Sequence, residues 1–188
     1  HRAGMFAFEH NYPKCSWNDW KEFTLALERQ KPFREPGLTQ GYHAMTFAWL
    51  VGEIIRRIDG RMPGDYFKAE IAEPFNLDFH IGLSEDDIHR CADVGYKRLD
   101  NLNPQLGFIK FIPNIFLNKD LNNLKESFVS GDFKKAFKSD RLDKDGPNSL
   151  DWRTAQIPAA NGHGTAQSLA KLFGILSTGC QRDNIKIL

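Results

Sequence analysis

A chain of 188 residues with 41% hydrophobic and 26% charged side chains has the composition of a soluble domain with a sizeable core. Its formal charge of +1 offers no broad field for nucleic acid or an anionic membrane, and no apolar run is long enough to span a bilayer. Cys15, Cys91 and Cys180 are odd in number and lack C-x-x-C spacing, so they suit ordinary thiols in a reducing compartment better than a metal site, with one disulfide still open.

The chain starts on His1 rather than Met and shows no secretory leader, as expected of a processed, excised or incomplete sequence. Long β-branched alternating runs are scarce, so the strongly periodic stretches predict a mainly α protein whose sheet is small. After a short mixed segment, HRAGMFAF at 1–8, the residues Asn11, Pro13 and Lys14 make a polar turn. Ser16 with Asp19 three residues on predicts a helix start, and Trp20, Phe23 and Leu27 give that helix its apolar stripe, with Thr24 as a tolerated polar member. Pro32 ends it and Pro36-Gly37 marks a second turn.

Residues 41–60, GYHAMTFAWLVGEIIRRIDG, are the stretch around which the chain is organised. Ala44, Phe47, Ala48, Val51, Ile54, Ile55 and Ile58 recur at steps of three and four and predict one largely buried helix of roughly four turns. Arg56 and Arg57 suit the negative end of its dipole and Gly60 closes it. Tyr42 thus stands on a turn just ahead of a rigid element, where it either packs the helix start or faces a cleft. Pro63 opens a further helix reaching about Ala72, and Phe75, Leu77, Phe79 and Ile81 alternate as in a short strand. Ser84 and Asp87 predict a cap for a short helix over 88–95.

Residues 97–150 read as an irregular, aromatic-rich and charged insertion within one domain covering 1–188. Phe108, Phe111 and Phe116 belong to a long loop that either packs its own aromatics or rims a substrate entrance. Asp120 can cap a helix through Asn122, Leu124 and Phe128; 134–138 is another short helical candidate; 138–148 is a solvated loop. The second landmark is 157–179, IPAANGHGTAQSLAKLFGILSTG. Thr165 predicts the cap of a helix carrying Leu169, Leu172, Phe173 and Leu176 and ended by Gly179, preceded by a flexible polar turn at 161–164.

The stretch from Tyr42 to Gly60, followed by EIAEPFNLDFHIGL at 70–83, resembles the serine beta-lactamase-related family, nearer its esterase-like members than true beta-lactamases. Three further segments are similar: the opening His-x-x-Gly with Met5 in place of the family's leucine, the Pro-Gly pair ahead of the tyrosine, and 161–166 against a Gly-Gly-x-x-Ser/Thr-Ala pattern. The resemblance covers 1–95 well and 157–179 moderately. It implies the helical subdomain of the beta-lactamase/transpeptidase-like α/β fold, with little or none of the central antiparallel sheet. Apolar faces left exposed where that sheet packs are then expected. It also implies acyl transfer to a serine, with no metal or organic cofactor and a small ester or amide as substrate.

In that family a Ser-x-x-Lys pair places amine and hydroxyl side by side, a tyrosine shuttles the proton, and a Lys-Thr-Gly or His-x-Gly strand completes the oxyanion environment. Tyr42 matches the tyrosine. Its plus-two neighbour, Ala44, has no amide, which counts against beta-lactam hydrolysis. His43, Ala44, Asn161, Gly162 and His163 are expected at the substrate cleft or in positioning roles, with a local structural role open for each histidine. Ser168 and Lys171 repeat the serine-lysine spacing but lie after the tyrosine on an amphipathic helix, so they read as helix surface rather than a catalytic pair. His163-Gly164-Thr165 precedes a helix, whereas the third motif belongs on a strand. His80 and His89 lack metal-like companions. Arg56, Arg57 and Arg61 form a basic cluster that acids elsewhere cancel, and GHGT lacks dinucleotide-binding spacing. The reading is therefore the middle of a serine hydrolase whose nucleophile and third motif lie on flanking segments; a non-catalytic helical interaction module of the same family is the alternative.

Overall fold

The computed structural model describes residues 1–95, 111–118, 121–122, 125, 131–137, 146–182 and 185–187. Helices α1 (Trp20–Arg29), α2 (Thr46–Asp59) and α3 (Pro63–Phe67) come first, and α3 runs into one π-helical turn, Lys68–Ala72. Strand β1 (Phe79–Ile81) and helix α4 (Glu85–Ile88) follow. Then come α5 (Asp132–Phe137), α6 (Leu150–Thr154), β2 (Gly162–Gly164), α7 (Ala166–Ser177), and the strands β3 (Gln181–Arg182) and β4 (Ile185–Lys186). The described part is mainly helical, with two antiparallel two-stranded ladders, β1–β2 and β3–β4, as the sheet content. That is the mainly α architecture with little sheet that the periodicity predicts.

The main core forms where α1 and α2 meet the opening segment and the residues around α6. Phe6, Phe8, Trp17, Trp20, Phe23, Leu27, Trp49, Trp152 and Ile157 are all buried there. Its centre is aromatic: Phe23 stacks on Trp49 at 4.4 Å and nearly parallel to Trp17 at 5.4 Å, while Trp152 meets Trp17 edge-on at 5.0 Å. Offset and edge-on contacts are the arrangements ring quadrupoles favour. A smaller cluster of Ala72, Phe75, Leu77 and Ile175 ties the π-helical turn and the approach to β1 to α7.

Several expectations need correction. Ser16 does not cap α1; Asp19 holds that position, accepting the Ser16 amide at 3.0 Å, and the Ser16 hydroxyl bonds instead to Asp151. The buried face of α2 is Thr46, Ala48, Trp49 and Gly52; of the predicted stripe only Ala48, and Ala44 just ahead of the helix, are buried. Phe47, Val51, Ile54 and Ile58 form an exposed stripe on nearly the opposite side of the helix, with Ile58 82% exposed. Helix α7 repeats this: Ser168 and Ile175 are buried, whereas Leu169, Phe173 and Leu176 are exposed. Helix α4 ends at Ile88, where the predicted one began, because Ser84 opens it four residues earlier. Of the loop aromatics, Phe111 and Phe116 are exposed. The expectations on Phe108, Asp120, Leu124, Phe128 and residues 138–145 lie outside the described residues.

Candidate functional site

Tyr42 lies one turn ahead of α2 and is 52% exposed, so its ring is at the surface rather than sealed in the core. The backbone on either side of it is fixed by the opening segment. The Gly41 amide donates to the His1 carbonyl at 3.0 Å, the His43 amide donates to the His1 ring Nδ1 at 3.2 Å, and the Thr46 hydroxyl donates to the Met5 carbonyl at 2.7 Å. The His1 ring packs against both Tyr42, at 5.0 Å, and Phe47, at 5.3 Å. The residues that hold the tyrosine turn are therefore some forty positions earlier in the chain.

His43 is not at a cleft rim. Its ring is buried, with Nδ1 2.6 Å from the Gly41 carbonyl and Nε2 accepting the Met5 amide at 3.2 Å. Burial pushes its pKa below the ordinary histidine value, only partly countered by the Gly41 bond. Ala44 is also in the core, so the position that carries an amide in the family's Tyr-x-Asn motif presents no side chain to a ligand here.

The 161–164 segment is not the flexible turn that was expected. Gly162–Gly164 is strand β2, paired with Phe79–Ile81 so that His163 faces His80 across the ladder. Its glycines allow close approach, but of protein rather than ligand: a Cβ at Gly164 would stand 2.5 Å from the Phe79 ring and 2.7 Å from the Asp78 carbonyl. Asn161 is buried, and its amide caps the chain behind it, accepting the Ile157 amide at 2.9 Å and donating to the carbonyls of Trp152, at 2.9 Å, and Ala155. His163 is half-buried, which lowers its pKa; the Asn161 backbone works in the opposite direction. His163-Gly164 thus does lie on a strand, although that strand is short and runs directly into α7.

Ser168 is 7% exposed, and its oxygen accepts the Asp78 amide at 2.9 Å and the Thr165 hydroxyl at 3.1 Å. Its amide in turn donates to Thr165 Oγ1, which caps α7 as predicted. The hydroxyl is committed to joining α7 to the start of β1, and no bond between Ser168 and Lys171 accompanies the helical spacing.

Asp78 is the residue that sequence reasoning missed. Its carboxylate takes His80 Nε2 at 3.1 Å and the Arg90 guanidinium, its amide reaches Ser168, and its carbonyl accepts the Thr165 amide at 3.1 Å. Those bonds hold its carboxyl below the usual carboxylate range, the His80 bond most. A lone acid inside an apolar alternating run was the available signal. The basic cluster is neutralised within the fold: Arg56 and Arg57 bind Glu53, and Arg61 binds Asp59 and Glu70. Among the described residues no group of three or more metal-ligating side chains stands together, no helix is long and apolar enough to cross a membrane, and no disulfide joins Cys15, Cys91 and Cys180.

With a half-exposed phenol at a helix mouth and a Gly-His-Gly strand leading into a capped helix, the comparison with known families is decisive. The beta-lactamase family model matches residues 1–185. The chain belongs to the beta-lactamase family. It is 29% identical over 168 residues to the esterase/beta-lactamase LipL of Mycobacterium tuberculosis, covering 87% of this chain and 36% of that protein. All of the chain superposes on 44% of a penicillin-binding protein homologue from Caulobacter crescentus, at 30% identity and a TM-score of 0.73. It likewise superposes on 44% of a family VIII carboxylesterase, at 26% identity and a TM-score of 0.71. The chain therefore spans less than half the length of these family members, and its fold is that of the family's hydrolases and esterases.

Proposed function

We propose that this chain is the tyrosine-bearing portion of a serine hydrolase that acts by acyl transfer on a small ester or amide, esterase-like more than beta-lactamase-like. Tyr42 is its proton carrier, and the nucleophilic serine and the third motif belong to other segments of the same protein. The observation that carries this reading is the setting of Tyr42: a half-exposed phenol whose neighbours on both sides are pinned by backbone bonds. A phenol held on a rigid turn pays little entropy to transfer a proton at a defined place. The core position of Ala44 supports an esterase over a beta-lactamase, because nothing there can grip a lactam side chain.

The non-catalytic module of the same family expects polar residues on the outer faces of α2 and α7. Those faces carry Phe47, Val51, Ile54 and Ile58, and Leu169, Phe173 and Leu176, which favours the first reading.

Two experiments test the proposal. The chain alone, incubated with a fluorophosphonate probe, is expected to show no serine acylation; stoichiometric labelling at Ser168 would overturn the assignment. In the protein encoded by the whole reading frame, Tyr42→Phe is expected to lower kcat by about 100-fold or more with folding unchanged, the usual worth of a positioned proton carrier. An unaltered kcat removes Tyr42 from the mechanism.

A further inference from the structure

We infer that His43 is the positioning residue for Tyr42, a neutral imidazole in a single tautomer that clamps the tyrosine turn onto the opening segment. The inference rests on the reading of Tyr42 as the proton carrier.

Two backbone groups dictate the tautomer. A carbonyl can only accept, so the contact between His43 Nδ1 and the Gly41 oxygen, at 2.6 Å, requires a proton on Nδ1. An amide can only donate, so the contact from the Met5 nitrogen, at 3.2 Å, requires a bare lone pair on Nε2. One neutral form satisfies both. The ring is 2% exposed, so no water replaces either partner if it leaves.

The two partners lie on different parts of the chain. Gly41 immediately precedes Tyr42, and Met5 belongs to the segment whose His1 ring packs on the Tyr42 ring. The imidazole therefore bridges the floor under the phenol to the opening segment beside it. Protonation would put an Nε2–H against the Met5 N–H, donor against donor, and release that side of the clamp. The titratable group that faces His43 from the opening segment is the His1 ring, 5.5 Å away. The Phe6 ring, edge-on at 6.4 Å, adds no charge. Burial opposes protonation, so the clamp stays closed through neutral pH and opens only on acidification.

Nitrogen-15 NMR of the full 188-residue chain tests the clamp directly. The expected result is a His43 ring protonated on Nδ1 and bare on Nε2, titrating below the ordinary histidine value, with the Tyr42 ring resonances moving at the His43 midpoint. An Nε2–H tautomer, or Tyr42 resonances that ignore the His43 titration, overturns the inference. His43→Asn keeps a donor near the Nδ1 position but cannot reach Met5. In the protein encoded by the whole reading frame it is expected to lower kcat about 10- to 100-fold, the usual cost of a small misplacement, and to abolish the acid limb assigned to His43. If Tyr42→Phe is fully active, the proton-carrier reading fails, whatever His43 does. If Tyr42→Phe is inactive while His43→Asn keeps kcat and its pH profile, the clamp alone fails. Should His43→Asn not fold, the tautomer and the shared midpoint in the unsubstituted chain decide the question.

Discussion

Asn161 shows how a single side chain can carry the wrong promise. An asparagine between an apolar run and two glycines invites a ligand-binding role, yet both of its N–H groups and its oxygen are spent on the backbone of residues 152–157. An amide with no free donor, buried to 2% exposure, has nothing left to offer a substrate. Asn161→Ala is therefore expected to cost about 2–3 kcal/mol, because it strands buried backbone groups rather than removing a surface contact. Urea denaturation measures this, and a loss below about 0.5 kcal/mol would show that the bonds are dispensable. His43 and Ser168 follow the same logic: each was visible as a reactive residue type, and each has its polar atoms occupied by one near neighbour and one partner distant in sequence.

At the scale of elements, α1 and α2 cross in close contact. A Cβ on Gly52 would stand 2.6 Å from the far edge of Trp20 and 2.9 Å from the ring of Pro63. Alanine would raise helix propensity by up to about 1 kcal/mol, but overpacking costs about 1–3 kcal/mol, so the clash wins. Gly52→Ala is expected to lower the urea midpoint; a rise would mean that the crossing has slack. Next to it, Glu53 accepts Trp20 Nε1 at 2.7 Å and binds Arg56 and Arg57, which holds its carboxyl down at about 2, the Arg56 bond most. A carboxyl with a depressed folded pKa stabilises the fold above its unfolded value of about 4.5, and that contribution is lost as pH falls towards about 2. Glu53→Gln should flatten stability against pH in that window, measured by thermal melting between pH 5 and 2; an unchanged slope would place the acid sensitivity elsewhere.

For the whole molecule, the two outward apolar stripes on α2 and α7 are the main feature. Ile58 and Phe173 are 82% and 64% exposed, so charging them should leave the fold intact. The double variant Ile58→Lys/Phe173→Lys is expected to melt within about 1 °C of the parent while binding less of an apolar dye and self-associating less. A large fall in melting temperature would mean that these side chains are covered. Acid response is also a property of the whole. His43 and His163 both have folded pKa values below the ordinary histidine value, so the unfolded chain takes up protons first as pH falls. Their contribution is complete above about 6.5 and is lost as pH drops below it towards the folded values. A stability that stays flat from pH 7 to 5 would contradict this.

Local chemistry was legible in the residues. The three- and four-residue recurrence placed α1, α2 and α7, Thr165 announced the cap of α7, and the scarcity of alternating β-branched runs limited the sheet. These are properties of a chain segment and its nearest neighbours, so the amino-acid order determines them alone. Which flank of α2 or α7 is covered was not legible, because an apolar stripe states a preference and burial needs a second surface. Trp49 and Gly52, not Ile54 and Ile58, face inward because α1 presents Trp20 and Phe23 to them. The same holds at the candidate site. Order along the chain put Tyr42 at a helix mouth, but only the fold brought Met5 and His1 beside it and turned His43 inward, since hydrogen bonds between residues forty positions apart exist only after the backbone has closed on itself.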